Sequence, residues 1–105
     1  MSKDRKSVSF VNIIAEGNKY FSFVAMEYPN KIRIAYALIN NLAECTHRQI
    51  FEESIQEHGF SPDIEPFGGG SINIRNCYYL PSILYGCVNE NLERIIRYKA
   101  GNECQ

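Results

Sequence analysis

The first forty residues contain three apolar segments that have the composition of β-strands and are separated by turn-forming residues. Residues 8–14, 19–28 and 32–39 are rich in β-branched and aromatic side chains, which is typical of strands. The turn around Gly17 predicts that the first two segments form a hairpin. A helix is the competing interpretation of the third segment, because Ala and Leu favour helices, but its period of two favours a strand. The chain therefore begins with a sheet.

Residues 46–58 carry the clearest helix signal. Thr46 followed by Gln49 forms a capping-box pattern, and Gly59 stands where a left-handed residue ends many helices. The apolar stripe with helical spacing consists of Ile50, Phe51 and Ile55. One face of this helix is therefore expected to pack on the sheet, and the other to meet water.

Three consecutive glycines starting at Gly68 precede a short alternating strand at residues 71–74. No Gly-Lys-Ser/Thr follows them, so we expect a bulge or a close strand crossing and not a phosphate-binding loop. A tight turn after this strand predicts a second hairpin with residues 77–80. The last helix is expected to begin near Asn89 and to end before Gly101. The side chains expected to face the core from this helix are Leu92, Ile95 and Ile96.

The resulting order of elements, β-β-β-α-β-β-β-α, predicts a single α+β domain. We expect a mixed or antiparallel sheet of about six strands that is covered by two helices. A chain of 105 residues leaves no room for a second core, and we place the domain at residues 8–101. The polar ends, residues 1–7 and 102–105, are expected to be flexible.

Charge and hydropathy narrow the class of function. Eleven basic and twelve acidic side chains give a formal net charge of −1, which does not favour nucleic acid as a partner. No apolar stretch approaches the roughly 18 residues that span a bilayer, and the N-terminal segment lacks the features of a secretory signal. We therefore expect a cytoplasmic monomer that does not contact membranes.

The four cysteines form no Cys-x-x-Cys pair, the spacing that zinc modules normally use. The even count allows two disulfides, but free thiols are expected because no secretory signal is recognised. A metal site built from Cys45 and His47 with Cys77 or Cys87 is a third hypothesis for the function. The leading expectation involves no metal and no other cofactor.

His47 is the residue with the most chemical information. With Thr46 as the N-cap, His47 is the first helical residue and lies beside backbone N–H groups that have no partner in the helix. That helix end attracts anions such as phosphate and disfavours imidazolium, so the ring is expected to be neutral. A neutral imidazole beside a phosphate is what a nucleophile or a general base requires. An ordinary surface histidine near a cap is the alternative that the sequence leaves open.

Two further features fit an anion site. The segment from Ser82 to Gly86 joins a strand to a helix, where successive N–H groups form anion-binding nests and the Ser82 hydroxyl adds a donor. Lys19, at the start of the second strand, is a candidate phosphate cation. Each feature also has an ordinary explanation, a plain connector for the segment and a solvated side chain for the lysine.

Four motifs in this order resemble the Janus/Ocnus family, whose best-known members are small phosphohistidine phosphatases. The resemblance runs from about Gly17 to Lys99 and rests on motif order and similar spacing. The four motifs are Gly17-Asn18-Lys19-Tyr20, Ala43-Glu44 with His47 and Ile50-Phe51-Glu52, Phe67-Gly68-Gly69-Gly70 with Ile72, and Ser82-Ile83-Leu84-Tyr85-Gly86.

The resemblance implies an enzyme that removes phosphate from histidine, and also from lysine, without a metal. Its partners would be phosphohistidine-containing proteins or peptides. His47 would be the catalytic residue, as nucleophile or general base, and its backbone amide would also hold the phosphate. The expected phosphate-binding residues, which act through backbone amides, the Ser82 hydroxyl and the lysine side chain, are Lys19, Thr46, Arg48, Ser82 and Leu84.

The chain departs from the family pattern near the expected site. Thr46 replaces the tyrosine that usually precedes the histidine, and Ser71 stands where an arginine commonly follows the triple glycine. The arginine expected before the first helix has no clear counterpart, with Lys31 or Arg33 as substitutes. A non-catalytic module of the same fold that binds phosphate or phosphopeptides is therefore the second hypothesis.

Overall fold

The computed structural model describes residues 6–103 and shows an α+β domain with five strands and two helices, which confirms the expected fold class. The strands are β1 (Ser7–Ala15), β2 (Tyr20–Glu27), β3 (Lys31–Ile39), β4 (Gly68–Asn73) and β5 (Tyr79–Pro81). The helices are α1 (His47–His58) and α2 (Glu90–Glu103), and a short 3-10 turn (Leu42–Glu44) leads from β3 to α1.

The sheet is mixed and has the strand order β1-β3-β2-β4-β5. β1 runs parallel to β3, and the other neighbouring pairs are antiparallel. The predicted hairpin of β1 and β2 is therefore wrong, because β3 lies between these strands. The turn that joins them crosses the end of β3, where a Cβ on Gly17 would lie 2.5 Å from the Asn40 nitrogen. A glycine is needed at this position because the crossing leaves no space for a side chain.

The triple glycine belongs to a strand and not to a bulge, since β4 begins at Gly68. A Cβ on Gly69 would lie 2.7 Å from the Phe23 carbonyl oxygen, and one on Gly70 would collide with the Tyr79 ring. The expected close approach of neighbouring strands is therefore confirmed. The pairing of β4 with β5 also confirms the second hairpin, but residues 6–103 form five strands where about six were expected.

The two helices cover opposite faces of the sheet. α2 packs on a core rich in aromatic rings, which includes Phe21, Phe23 and Tyr36. α1 packs on a second core of smaller and aliphatic side chains, among them Ala35 and Ala37. Because successive residues of a strand point to opposite faces, neighbouring residues of β2 belong to different cores.

α1 begins and ends as its sequence predicts. The Thr46 hydroxyl accepts a hydrogen bond from the Gln49 N–H at 3.1 Å, and the Gln49 side chain accepts one from the Thr46 N–H at 2.7 Å. Gly59 follows the helix in the left-handed conformation, with a φ of 73°. The capping box therefore fixes residue 47 as the first residue of the helix.

α2 differs from its prediction at two positions. Ile95, expected in the core, is 43% exposed, because the buried stripe follows the i, i+4 row of Leu92, Ile96 and Ala100. The helix also continues through Gly101, which was expected just beyond its end. The buried Ala100 packs the last turn against the sheet, and this packing outweighs the low helix propensity of glycine.

The flexible termini predicted from sequence include residues 1–5 and 104–105, which lie outside the described residues, as does Cys104. Cys45, Cys77 and Cys87 are free thiols. In the described part of the chain, no helix is long and apolar enough to cross a bilayer.

Candidate functional site

An open cleft of about 530 Å³ lies between the N-terminus of α1 and the loop that follows β5. Thr46, His47 and Arg48 line the cleft from the helix, and Ser82 and Leu84 line it from the loop. The structure thus brings together five of the six residues that the sequence assigned to a phosphate site. Two segments that are distant in sequence meet at this point.

The first turn of α1 supplies backbone donors to the cleft. The capping box uses the N–H groups of Thr46 and Gln49, whereas those of His47 and Arg48 have no acceptor within a helix. Such N–H groups form the positive end of the helix dipole and bind phosphate oxygens. The Arg48 side chain adds a positive charge, which an ion pair with Glu52 at 3.2 Å partly neutralises.

The His47 imidazole is half-buried, and burial lowers its pKa below the usual value of 6.5. A hydrogen bond with the Gly70 backbone acts in the opposite direction and is the smaller effect. The ring is therefore neutral at pH 7. A neutral ring keeps one nitrogen lone pair that is able to accept a proton or to attack phosphorus.

Sequence reasoning missed a pair of serine hydroxyls beside His47. Ser71 Oγ lies 3.3 Å from His47 Nε2 and 2.7 Å from Ser22 Oγ. The two serines are direct partners in the pairing of β2 with β4, and Ser71 also lines the cleft. The sequence feature that could have indicated this pair is the hydroxyl of Ser22 on an otherwise apolar face of β2.

The hydrogen bonds of the loop after β5 change the role expected for Ser82. The Ser82 N–H donates to the Gly69 carbonyl at 3.1 Å, so it does not serve a phosphate as expected. The antiparallel pairing of β4 and β5 continues past Pro81 and takes up this donor. The Ser82 hydroxyl accepts from the Tyr85 N–H at 3.1 Å and keeps its own proton for a ligand. The Leu84 N–H has no hydrogen-bond partner within residues 6–103, so it is an open donor of the loop.

Lys19 is not among the residues that line the cleft. It lies instead beside a second cavity of about 340 Å³, together with Asn18, Asn73 and Arg75. Lys19 precedes β2, in the bend after Gly17, and its backbone N–H donates to the Ile39 carbonyl at 3.1 Å. The turn between β1 and β2 therefore holds the lysine at this second cavity, apart from the residues that line the His47 cleft.

Exposed apolar side chains complete the lining of the cleft, and the sequence did not predict this rim. Ile83 is fully exposed, and Leu84 is 60% exposed. The other apolar residues of the lining are Leu42, Leu80 and Pro81. A ligand whose anionic group lies at the helix N-terminus would therefore have an apolar surface next to it.

The hypothesis of a Cys/His metal site is not supported by the geometry. Within residues 6–103, no group of three or more His, Cys, Asp or Glu side chains is close enough to hold a metal ion. Cys45 is buried, and this burial raises the pKa of its thiol, which disfavours the thiolate that binds metals.

No protein-family model matches the sequence, and no curated protein matches it either. The similarity to Janus/Ocnus proteins therefore rests on the four motifs alone. The motifs that contain His47 and Ser82 meet at the cleft, whereas the motif that contains Lys19 lies at the second cavity. Any assignment of function depends on the chemistry of the cleft.

Proposed function

We propose that this protein is a metal-independent phosphatase that removes phosphate from phosphohistidine in proteins or peptides, with phospholysine as a further substrate. The observation that carries the proposal is a neutral, half-buried His47 at a helix N-terminus with two unpaired backbone N–H groups. Ser82 and Leu84 line the same cleft from the other side, and they offer a hydroxyl and a backbone N–H as further donors. These donors stabilise the negative charge that develops on the phosphoryl oxygens.

The chemistry requires only a neutral imidazole and oriented donors. As a nucleophile, His47 forms a new phosphorus–nitrogen bond while the bond to the substrate nitrogen breaks and that nitrogen takes up a proton. Water then releases phosphate from His47. As a general base, His47 instead takes a proton from water while the water oxygen attacks phosphorus, the phosphorus–nitrogen bond breaks, and the substrate nitrogen takes up a proton. Both routes end with free phosphate and an unmodified protein.

The two histidines of the chain provide a matched test, because His47 lines the cleft and His58 lies at the other end of α1. With a phosphohistidine peptide or phosphoramidate, the wild-type protein is expected to release phosphate. His47→Ala is expected to lower the rate by about 10²-fold or more, which is the usual contribution of a general base. His58→Ala is expected to keep the wild-type rate, and equal rates in the two variants would refute the role of His47.

The second candidate is a module that binds phosphate or phosphopeptides without turnover. It is favoured by the position of Lys19 at another cavity and by the engaged Ser82 N–H, which leave Arg48 as the cationic side chain of the described cleft lining. This candidate predicts that a phosphopeptide raises the melting temperature while no phosphate is released. Phosphate release that depends on His47 excludes it.

The proposed setting is that of a cytoplasmic monomer that acts on other proteins. The cleft is open, so the side chain of a phosphorylated protein is able to enter it, and the exposed Ile83 and Leu84 offer contacts for flanking apolar residues. The weakly acidic net charge fits a site that binds its anion mainly through backbone amides. Sedimentation of the purified protein tests the monomeric state.

A further inference from the structure

The second cavity, of about 340 Å³, carries positive charge without a matching negative charge. It lies where β2 begins and β4 ends, and its lining consists of Asn18, Lys19, Tyr20, Asn73 and Arg75. Lys19 and Arg75 are both cationic at pH 7, and within the described chain no acidic residue belongs to the lining. The ion pairs found among residues 6–103 use other basic side chains, namely Lys6, Arg48 and Arg97. The cavity is therefore suited to an anion.

The backbone holds the two cationic residues next to each other. The Ile74 N–H donates to the Lys19 carbonyl at 2.9 Å, and Arg75 follows Ile74 directly. The Lys19 N–H donates in turn to the Ile39 carbonyl at 3.1 Å. The side-chain oxygen of Asn73 fixes the turn from the other side, since it accepts from the Arg75 N–H at 2.9 Å. Like charges on neighbouring backbone segments repel each other, and an anion that contacts both removes this cost.

We propose that this cavity binds the carboxylate of an acidic side chain in the substrate, two or three residues away from the phosphohistidine. The inference rests on the proposed function, because it names the class of peptide that the His47 cleft accepts. A carboxylate accepts two parallel hydrogen bonds from an arginine guanidinium and a further one from a lysine ammonium. The Asn73 oxygen is used by the turn, and its NH₂ group, which has no acceptor within residues 6–103, adds a neutral donor.

The register of the sheet places the second cavity near the His47 cleft. Ser71, which lines the cleft, pairs with Ser22. Two positions further along β4, Asn73 lines the second cavity and pairs with Tyr20, whose ring packs on the core under α1. Residues two apart on a strand share a face, and their separation is about 7 Å. An extended peptide covers this distance in two residues, so a peptide with its phosphohistidine at His47 has a flanking side chain within reach of the cavity.

The test compares phosphohistidine peptides that differ in one flanking residue. Glutamate is placed two or three residues from the phosphohistidine, on either side, and each peptide has a counterpart with glutamine at the same position. At one or more positions, KM for the glutamate peptide is expected to be about 3-fold to 10-fold lower, as exposed charge-assisted hydrogen bonds allow. High salt is expected to reduce this difference, because it screens exposed charges. Equal KM values in every pair of peptides would overturn the proposal.

Substitutions of single arginines assign the preference to the cavity. Arg75→Gln and Arg94→Gln form a matched pair, because each removes one exposed arginine and Arg94, on α2, lines neither of the two cavities. The preference for glutamate is expected to decrease in Arg75→Gln, to disappear in the double variant Lys19→Gln, Arg75→Gln, and to persist in Arg94→Gln. Lys19 and Arg75 are exposed, so the melting temperature is expected to stay near the wild-type value. A preference that survives in the double variant would overturn the assignment.

Binding without turnover separates this proposal from the proposed function. Peptides with phosphoryl-triazolylalanine, a stable analogue of phosphohistidine, are expected to show the same preference for glutamate in their Kd. If the preference is found while no peptide releases phosphate, the carboxylate site stands and the proposed function fails. If phosphate is released in a His47-dependent reaction without any preference, the carboxylate site fails alone. An equal loss of affinity for inorganic phosphate and for the glutamate peptide in Lys19→Gln would place the lysine at the phosphate and overturn the proposal.

Discussion

The two faces of the sheet differ in what they contain: the α2 side is a continuous apolar core, and the α1 side carries the candidate site. On the α2 side, the rings of Phe21 and Tyr36 stack with their centroids 4.4 Å apart inside a continuous apolar core. On the α1 side, the hydroxyls of Ser22 and Ser71 face the His47 ring, and a cleft opens beside them. Phe21 and Ser22 are consecutive residues, so β2 serves both faces at once. A rigid aromatic core on one side thereby holds polar groups in place on the other.

The cleft exists because α1 covers only part of its face. α1 packs on β1, β2 and β3, and its N-terminus is left beside β4 and the loop after β5. The unpaired N–H groups of a helix N-terminus require water or a ligand, so this end is not suited to burial under apolar side chains. On the opposite face, Asn89 caps α2 in the same way, since its side chain accepts from the Leu92 N–H at 2.9 Å, but the first turn of α2 carries Glu90 and Glu93, which disfavour an anion there. The first turn of α1 carries no acidic residue, so it is the helix end suited to an anionic ligand.

The largest effect is expected from the α2 side. Phe21→Ala removes a fully buried ring and is expected to lower the free energy of unfolding by about 3–5 kcal/mol. Ile83→Ala, at the fully exposed rim of the cleft, is expected to change it by less than about 0.5 kcal/mol. Urea denaturation measures both values. Similar losses in the two variants would contradict the division of stability between core and cleft.

A smaller effect is expected at Gly70, where β4 pairs with β5. A Cβ on Gly70 would collide with the Tyr79 ring and would lie 2.5 Å from the Leu80 carbonyl oxygen. Gly70→Ala is therefore expected to destabilise the protein by about 1–3 kcal/mol, the usual cost of overpacking.

Gly101→Ala is the matched control for this prediction. A Cβ on Gly101 would meet nothing within 4 Å, and the position is helical. The substitution is expected to stabilise the protein by up to about 1 kcal/mol, because alanine loses less backbone entropy than glycine in a helix. If both variants shift the urea midpoint in the same direction, close packing at Gly70 is not the reason for the glycine.

Local patterns predicted the elements better than they predicted the sheet. The capping box at Thr46 and the cap at Gly59 depend on residues a few positions apart, and both were read correctly from sequence. The strand order depends on which distant strands pair, and the insertion of β3 between β1 and β2 has no local signal. The turn around Gly17 was interpreted as a hairpin because glycine is common in tight turns. Glycine is also required where two backbones cross closely, as they do here, and the sequence does not distinguish the two cases.

The difference between local signals and distant pairing also explains which residues of the candidate site were predicted from sequence and which were missed. His47 and the Ser82 loop were predicted because a helix start and a strand–helix connection each have a local signature. Ser71 was noted only as a departure from a family pattern, and its contact with His47 comes from the pairing of β2 with β4. Lys19 was assigned to the site by resemblance, but it lies in the turn before β2 and lines the other cavity.

The smallest effect is expected in the pH dependence of phosphate release, which depends on His47 on the α1 side of the sheet. Burial holds the pKa of His47 below 6.5, so the lone pair is lost only as the pH falls through this lowered pKa. Phosphate release is therefore expected to decline in acid with a midpoint below 6.5. In the unfolded chain, the histidine binds this proton near pH 6.5. The neutral His47 ring therefore contributes to the free energy of unfolding above pH 6.5, and this contribution is lost as the pH falls through the folded pKa.

His58→Gln makes this dependence measurable, because it leaves His47 as the histidine of a chain that contains two. NMR titration of that variant is expected to give a pKa for His47 below 6.5, and the midpoint of phosphate release should agree with it. A pKa at or above 6.5 would mean that the ring is not desolvated as the cleft geometry requires. Phe21→Ala, if it remains folded, should leave the midpoint unchanged, because the α2 core contributes rigidity to the site and no charge.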